Sequence, residues 1–271
     1  MTDAKKTVLE RGAVAVVDAL GFKEARKTHG VHELVTSIKH LRTKIREDAL
    51  FKERLSSDKL HIAAFSDTII MAGFEPKDPT SKALLGMEGT LSGLAYAVAS
   101  LVVEAASTAA PLPYRGCLAA GPLLVDDEIF VGEAIDEAAE WYEQGNAAIV
   151  WLAPSARAAI RRPDPILFTT WNLDLKNRGS LEVLAVNPFI VHAIRALQPG
   201  LDSAILDESE RLLLATFGET TLVDIAQKRQ STAGFLAKAK AETAKRFDEW
   251  QAEFWTNNAS LGDDVDGGAD A

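Results

Sequence analysis

Two aspartates and an arginine stand where apolar runs begin or end. Asp18 closes the run in "VAVVDALGFKEARK" (14–27), Asp67 sits at a Ser-Asp turn inside "KLHIAAFSDTIIMAGF" (59–74), and Arg115 opens "YRGCLAAGPLLVDDEIFVG". An ionised carboxylate is costly to bury unless a metal, a cation or backbone donors satisfy it. Two acids and an Arg beside a Gly-containing turn that opens a helix would cradle a divalent metal and a polyphosphate. Each Asp also has an ordinary reading. Asp18 could cap the helix that follows, and Asp67 could be a turn residue satisfied locally.

Whether the three meet depends on the elements that carry them. Residues 13–18 read as a strand, and 23 to about 54 as an amphipathic helix with a break at Gly30. Residues 59–74 read as two strands, about 81–109 as an Ala-rich helix, and 113–132 as another strand pair. A short helix follows in "EAIDEAAEWYEQ", then a strand in "AAIVWLA", a helix in "PSARAAIRR" ended by Pro163, and a hairpin around "KNRGS". From about 189 the pattern is helical, with 219–255 readable as one long helix. The leading order is the split βαβ pattern of a ferredoxin-like βαββαβ fold. In that topology the end of the first strand, the turn between the second and third, and the start of the fourth share one sheet edge. Asp18 and Asp67, 49 positions apart, then converge with Arg115.

Composition narrows the classes. The chain has 271 residues, 47% hydrophobic and 25% charged, which suits a soluble globular protein with one large core. A formal net charge of -10 argues against duplex nucleic acid as a partner. Cys117 is the only cysteine, so no intrachain disulfide forms and a reducing cytoplasm fits. The charged start "MTDAKKTVLERG" lacks the apolar stretch of a signal peptide. The segment "LSGLAYAVASLVVEAASTAAPLP" approaches the length of a membrane span. Glu104 and its serines favour a buried or interface helix, so no membrane partner is expected.

At these residues the sequence resembles the class III nucleotidyl cyclase superfamily. The matching segments are "DALGF" (Asp18 to Phe22), "FSDTIIMA" with Asp67, and "YRGCLAAGPLLVDDEIFVGEAIDEAAEWYE". The "SDT" turn, the "RG" at the fourth strand and the "G-x-A-x-x-x-A" helix start are most similar to one branch, the pyrimidine nucleotide cyclases of bacterial Pycsar antiphage systems. The resemblance spans about residues 12–152. It implies an α+β fold, with a class III cyclase core at 1–188 that carries additional strands. A helical C-terminal extension at 189–257 and a disordered acidic tail at 258–271 complete the expected layout.

The resemblance further implies two Mn²⁺ or Mg²⁺ ions held by Asp18, Asp67 and the carbonyl of Ala19. Arg115 would offset phosphate charge, and backbone N–H groups of Leu20, Gly21, Phe22 and Lys23 would hold phosphate oxygens. Phe65, two residues before Asp67, reads either as a core residue or as the lining of a base pocket. The expected reaction turns UTP or CTP into the 3′,5′-cyclic monophosphate and pyrophosphate, in a head-to-tail homodimer. The product would act on a separate effector protein in phage defence. Where purine cyclases of the superfamily place a base-reading Lys and an acid, this chain has Ala63 and apolar Ile129. Where they place a transition-state Asn and Arg, it has Asp136 and Glu140. A catalytically silent nucleotide-binding or dimerisation module therefore stands as the alternative. His29, His32 and His40 have no companion ligands and read as helix surface. Ser66 has no His partner, and Leu236, Phe247, Trp250 and Phe254 form a helix face that should cover the core or a partner chain.

Overall fold

A computed structural model of the chain describes residues 9–47, 60–84, 86–176, 179–195, 203–218 and 223–262. Its axis is β1 (Glu10–Ala19). β1 pairs antiparallel with β3 (Thr68–Phe74) on one side and with β4 (Tyr114–Asp126) on the other. β2 (His61–Phe65) lies outside β3. The order β2-β3-β1-β4 is the ferredoxin-like arrangement expected from the sequence. The sheet continues through β6 (Val150–Leu152), β8 (Gly179–Val186) and β7 (Phe168–Leu175), while β5 (Ile129–Val131) forms a hairpin with the far end of β4. With helices on both faces, the fold is α+β.

β1 reads as one continuous apolar run because both of its faces are covered. Ala13, Ala15 and Val17 pack into a cluster with α2 (Gly30–Glu47) and α4 (Gly86–Ala105). Val14 and Val16 point the other way, toward α5 (Glu133–Trp141), α8 (Ser203–Ala215) and α9 (Val223–Gly262). The strand period of two puts Asp18 on this second face. The two short helices α1 (Phe22–Thr28) and α3 (Pro79–Leu84) precede α2 and α4, and α6 (Pro154–Ala159) and α7 (Ile190–Arg195) follow β6 and β8. The break between α1 and α2 falls at Gly30, whose φ of 81° few other residues adopt.

α4 is long and apolar enough to cross a membrane, and it is the only such helix among the described residues. Buried inside the fold over 67% of its most apolar window, it is a core helix. Gly93, Ala95, Ala97 and Ala99 let it lie close against its neighbours. Three local boundaries differ from the sequence expectations. β1 starts at Glu10 instead of 13, because β4 supplies a ladder partner as far as Leu123. The helix of "PSARAAIRR" stops at Ala159, where buried Ile160 turns extended well before Pro163. The chain at 48–54, residues 177–178 and 219–222, and 263–271 of the tail expected at 258–271 lie outside the described residues, whereas 258–262 continue the last helix instead of being disordered.

The C-terminal helices pack on their own core. Phe235, Leu236, Ala239 and Phe247 of α9 are buried, and Thr232 and Thr243 of the same helix are buried too. Thr232 Oγ1 accepts from the Ala148 N–H at 2.9 Å, and Thr243 Oγ1 accepts from Asn187 Nδ2 at 2.7 Å. Thr169 Oγ1 donates to Glu242 Oε2 at 2.9 Å. The helix face is thus part apolar and part hydrogen-bonded. The side chains of Trp250 and Phe254 lie outside the described residues.

Candidate active site

Strand register places four side chains in one row. Phe65 of β2 faces Thr68 of β3, Thr68 faces Asp18 of β1, and Asp18 faces Arg115 of β4. Directly opposed residues on neighbouring strands are within reach of each other. Here the reach becomes bonding: Thr68 Oγ1 donates to Asp18 Oδ1 at 3.2 Å, and Arg115 Nη2 donates to Asp18 Oδ2 at 3.3 Å. The Asp67 carbonyl accepts from the Ala19 N–H at 3.0 Å, fastening the β2–β3 turn to the end of β1. The edge therefore brings Asp18, Asp67 and Arg115 together, as the split βαβ topology requires.

The electrostatics match the crowding. The Asp18 side chain is 13% exposed and that of Arg115 is 10% exposed. Burial pushes the Asp18 carboxyl above its ordinary pKa, opposed by Arg115 and reinforced by the Asp67 charge. Tyr114, opposite Ala19, is buried, and its hydroxyl is pushed well up by burial and by Asp18 and Asp67. Arg115 is followed by Gly116 for a steric reason. A Cβ there would stand 2.4 Å from the Val16 carbonyl oxygen.

The turn after β1 departs from expectation in one donor. The Leu20 N–H already donates to the Pro113 carbonyl at 2.8 Å, so it is committed within the chain. The N–H groups of Gly21, Phe22 and Lys23 fall at the start of α1, where a helix offers no intrahelical acceptor. Gly21 has φ 77°, and open space surrounds its Cβ position, so conformation alone selects glycine. Behind the turn lies a cavity of about 590 Å³ whose lining includes Leu20, Gly21, Glu24, Phe217 and Lys228. At the other turn, Ser66 has φ 57° beside Asp67, a left-handed conformation uncommon for a residue with a Cβ.

Phe65 is 82% exposed, an unusual state for a phenyl ring at the end of a sheet row. Ala63 lies two residues along the same face and is buried. Ile129 is elsewhere. It pairs with Asp126, eleven positions along β4 from Arg115, or about 35 Å of extended strand. Asp136 and Glu140 are exposed on α5.

Two residues at this edge carried no signal in the sequence beyond their element. Tyr142, which follows α5, sets its ring 5.9 Å from the Arg115 guanidinium carbon. Lys176, just past β7, is held below its ordinary pKa by burial and then by the nearby Arg115 charge. Both arrive through packing: α5 runs back along β4, and the Lys176 N–H donates to the Gln144 carbonyl.

Metal ligation by this edge follows the chemistry of its donors. Among the described residues no group of three or more His, Cys, Asp or Glu could hold a metal ion. Two carboxylates with a backbone carbonyl suit Mg²⁺ or Mn²⁺, which take one or two carboxylates and fill the remaining positions with water and substrate phosphate oxygens.

No family model matches the chain, and no curated protein does. Solved structures do. The catalytic core of a rhodopsin-guanylyl cyclase with converted specificity, in complex with ATPαS, is similar with a TM-score of 0.47 and 14% identity over 66% of this chain and 97% of that one. A bacterial light-regulated adenylyl cyclase is similar with a TM-score of 0.44 and 15% identity, over 70% of this chain and 99% of that one. An adenylate cyclase from Trypanosoma brucei in its monomeric state has a TM-score of 0.40 and 14% identity, over 68% of this chain and 91% of that one.

Proposed function

We propose that the chain is a metal-dependent nucleotide cyclase that converts a pyrimidine ribonucleoside triphosphate, UTP or CTP, to the 3′,5′-cyclic monophosphate and pyrophosphate. The observation that carries this reading is the row Thr68–Asp18–Arg115, with Asp67 tied to its end through Ala19. Divalent metal ions held by Asp18, Asp67 and the Ala19 carbonyl would lower the pKa of the ribose 3′-hydroxyl and neutralise the triphosphate. The chain's own groups do the remainder. Arg115 faces the phosphates with a planar fork of donors, a geometry that matches phosphate oxygens. N–H groups of Gly21, Phe22 and Lys23 hold further phosphate oxygens at the helix start. Before substrate arrives, Arg115 and Thr68 satisfy the Asp18 carboxylate, which answers how a buried acid is tolerated there.

The small Ala63 and the exposed Phe65 ring favour a pyrimidine stacked on Phe65 over a purine read by hydrogen bonds. Because Ile129 lies about 35 Å of strand from Arg115, a site that uses both needs two chains, which supports a head-to-tail homodimer. A cytoplasmic protein whose cyclic product acts on a separate effector in phage defence fits this reading. Asp136 and Glu140 favour a second one. Acids on α5 cannot stabilise developing negative charge, so the fold would then bind nucleotide without turning it over.

One experiment separates the two. Purified protein is incubated with Mn²⁺ and each of the four ribonucleoside triphosphates, and products are resolved by mass spectrometry. The cyclase reading expects cyclic UMP or cyclic CMP with pyrophosphate, abolished in Asp18→Ala and Asp67→Ala. Nucleotide-dependent thermal stabilisation without product supports the silent module. Product from both Asp variants at the wild-type rate would falsify the metal assignment.

A further inference from the structure

The Arg115 guanidinium is confined without being well fixed by hydrogen bonds. The residue is 8% exposed, and its Nε finds no acceptor among the described residues. Nη2 reaches Asp18 at 3.3 Å and Nη1 reaches the Glu143 carbonyl at 3.5 Å. Bonds at the long end of the range hold a plane loosely. The contact that covers the guanidinium is the Tyr142 ring, 5.9 Å from Cζ to centroid. That ring is itself anchored. The Tyr142 N–H caps α5 by donating to the Ala138 carbonyl, and its hydroxyl donates to Glu143 Oε1 at 3.0 Å. Next to it, Trp141 stands edge-on to buried Trp151 at 5.5 Å and 83°, which pins the end of the helix against the sheet.

We propose that Tyr142 is a positioning residue for Arg115: its ring face sets the plane of the guanidinium so that the donor fork meets the phosphates bound beside Asp18. The inference rests on the cyclase reading above and deepens it. Recognition of phosphate by Arg depends on the orientation of a planar group, unlike the point charge of Lys. A ring on one face restricts that plane and adds the attraction of a cation to a π-system. The ring therefore matters and the hydroxyl does not. The hydroxyl instead orders Glu143, and burial with that carboxylate raises the Tyr142 pKa to about 12, so it stays neutral at working pH.

The test compares Tyr142→Phe, Tyr142→Leu, Arg115→Lys and the double variant Tyr142→Leu/Arg115→Lys, each checked for folding by thermal denaturation. Both kcat and KM are measured with Mn²⁺ and the triphosphate that the wild type uses best. Binding of its non-hydrolysable analogue is measured in parallel by calorimetry. Tyr142→Phe should stay within about twofold of wild type, and Tyr142→Leu should lose about tenfold in kcat/KM, the scale of a partly desolvated cation–π contact. In the Arg115→Lys background the Leu substitution should cost nothing more, because the plane it set is gone. Additive losses, an unaffected Tyr142→Leu, or equal loss in Tyr142→Phe would overturn the proposal. A wild type that binds the analogue without turnover sinks the cyclase reading alone, and the same pattern is then read in the dissociation constants. A wild type that neither binds nor turns over overturns both.

Discussion

The two faces of the sheet are closed in different ways. One face is closed by α2 and α4 of the same chain over β1 and β3, and Ala13, Ala15, Val17, Leu91, Leu94 and Met71 are all fully buried there, while Thr170, Asn172, Ser180 and Glu182 are exposed toward the far ends of β7 and β8. The other is sealed by α5, α8 and α9 over β4, β6, β8 and β7, but remains partly open over β2 and β3. On that open part Ile70, Phe74 and His61 are half-buried and Phe65 is exposed. Asp18 stands at the border between the closed and open parts. A face closed by its own helices can only contribute stability, whereas a border keeps charge dry on one side and reachable on the other. The chemistry proposed above therefore falls where the helical cover ends.

The largest expected effect breaks the comparison at that border. Asp18→Asn should lower metal-dependent turnover by at least about a hundredfold, by loss of a carboxylate proposed to hold metal, while the chain stays folded by circular dichroism. On the sealed face the outcome should invert. Leu94→Ala removes fully buried methyl groups, so it should cost about 2–5 kcal/mol of unfolding free energy. Denaturant titration measures it, and kcat below the transition should stay within about twofold. If Leu94→Ala removes activity in a fully folded sample, the division of labour between the faces is wrong.

A middle-sized effect separates the closed part of the second face from its open part. Thr243→Val leaves buried Asn187 Nδ2 with only the Ile166 carbonyl as partner. The cost should be about 1–3 kcal/mol, the penalty of a buried donor deprived of one acceptor. Turnover should not change, since this bond joins α9 to the end of β8 far from the Asp18 row. A loss of kcat with unaltered stability would show that α9 serves the site directly.

The same contrast shows what could be read from the chain. Asp18, Asp67 and Arg115 were legible because strand order alone brings their positions to one edge. The break at Gly30 was legible because local conformation selects glycine there, and the turn at Ser66-Asp67 because two polar residues interrupt an apolar run. Tyr142 was not, since "EWYEQ" reads only as a helix end and its meeting with Arg115 depends on how α5 packs back along β4. The commitment of the Leu20 N–H to Pro113 was hidden for a similar reason: a backbone donor has no side-chain signature. Thr232 and Thr243 broke the apolar periodicity of α9, yet each occupies a buried position by finding a hydrogen-bond partner across the interface. Long-range pairing also lengthened β1 beyond what its apolar run suggests.

A smaller effect concerns pH. The folded-state pKa of Asp18 is raised above 3.8 by burial first, so near that value the folded chain binds more protons than the unfolded one. Stability from this group is therefore greatest at acid pH and falls as pH rises from near 3.8 through the folded value. Asp18→Asn lacks that titration. In metal-free protein the thermal midpoint of the wild type, minus that of Asp18→Asn, should fall across this window and level off above the folded value. A difference that rises with pH would mean that Arg115 outweighs burial at the border.

The smallest prediction compares the two hairpin turns. Ser66 between β2 and β3 has φ 57°, and Asp127 between β4 and β5 has φ 54°. Both conformations cost a residue with a Cβ something that glycine avoids. Glycine also gains freedom in the unfolded chain, which offsets much of the relief. Ser66→Gly and Asp127→Gly should therefore each shift unfolding free energy by less than about 1 kcal/mol, and by similar amounts. Their effects on turnover should differ. Loosening Asp127 disturbs a turn at the far end of β4, while loosening Ser66 frees the residue next to Asp67. A fall of a few-fold in kcat for Ser66→Gly, with Asp127→Gly unchanged under saturating metal and substrate, would locate the rigidity that matters at the border. Equal kcat in the two variants would mean that the bond from Ala19 N–H to the Asp67 carbonyl fixes that residue by itself.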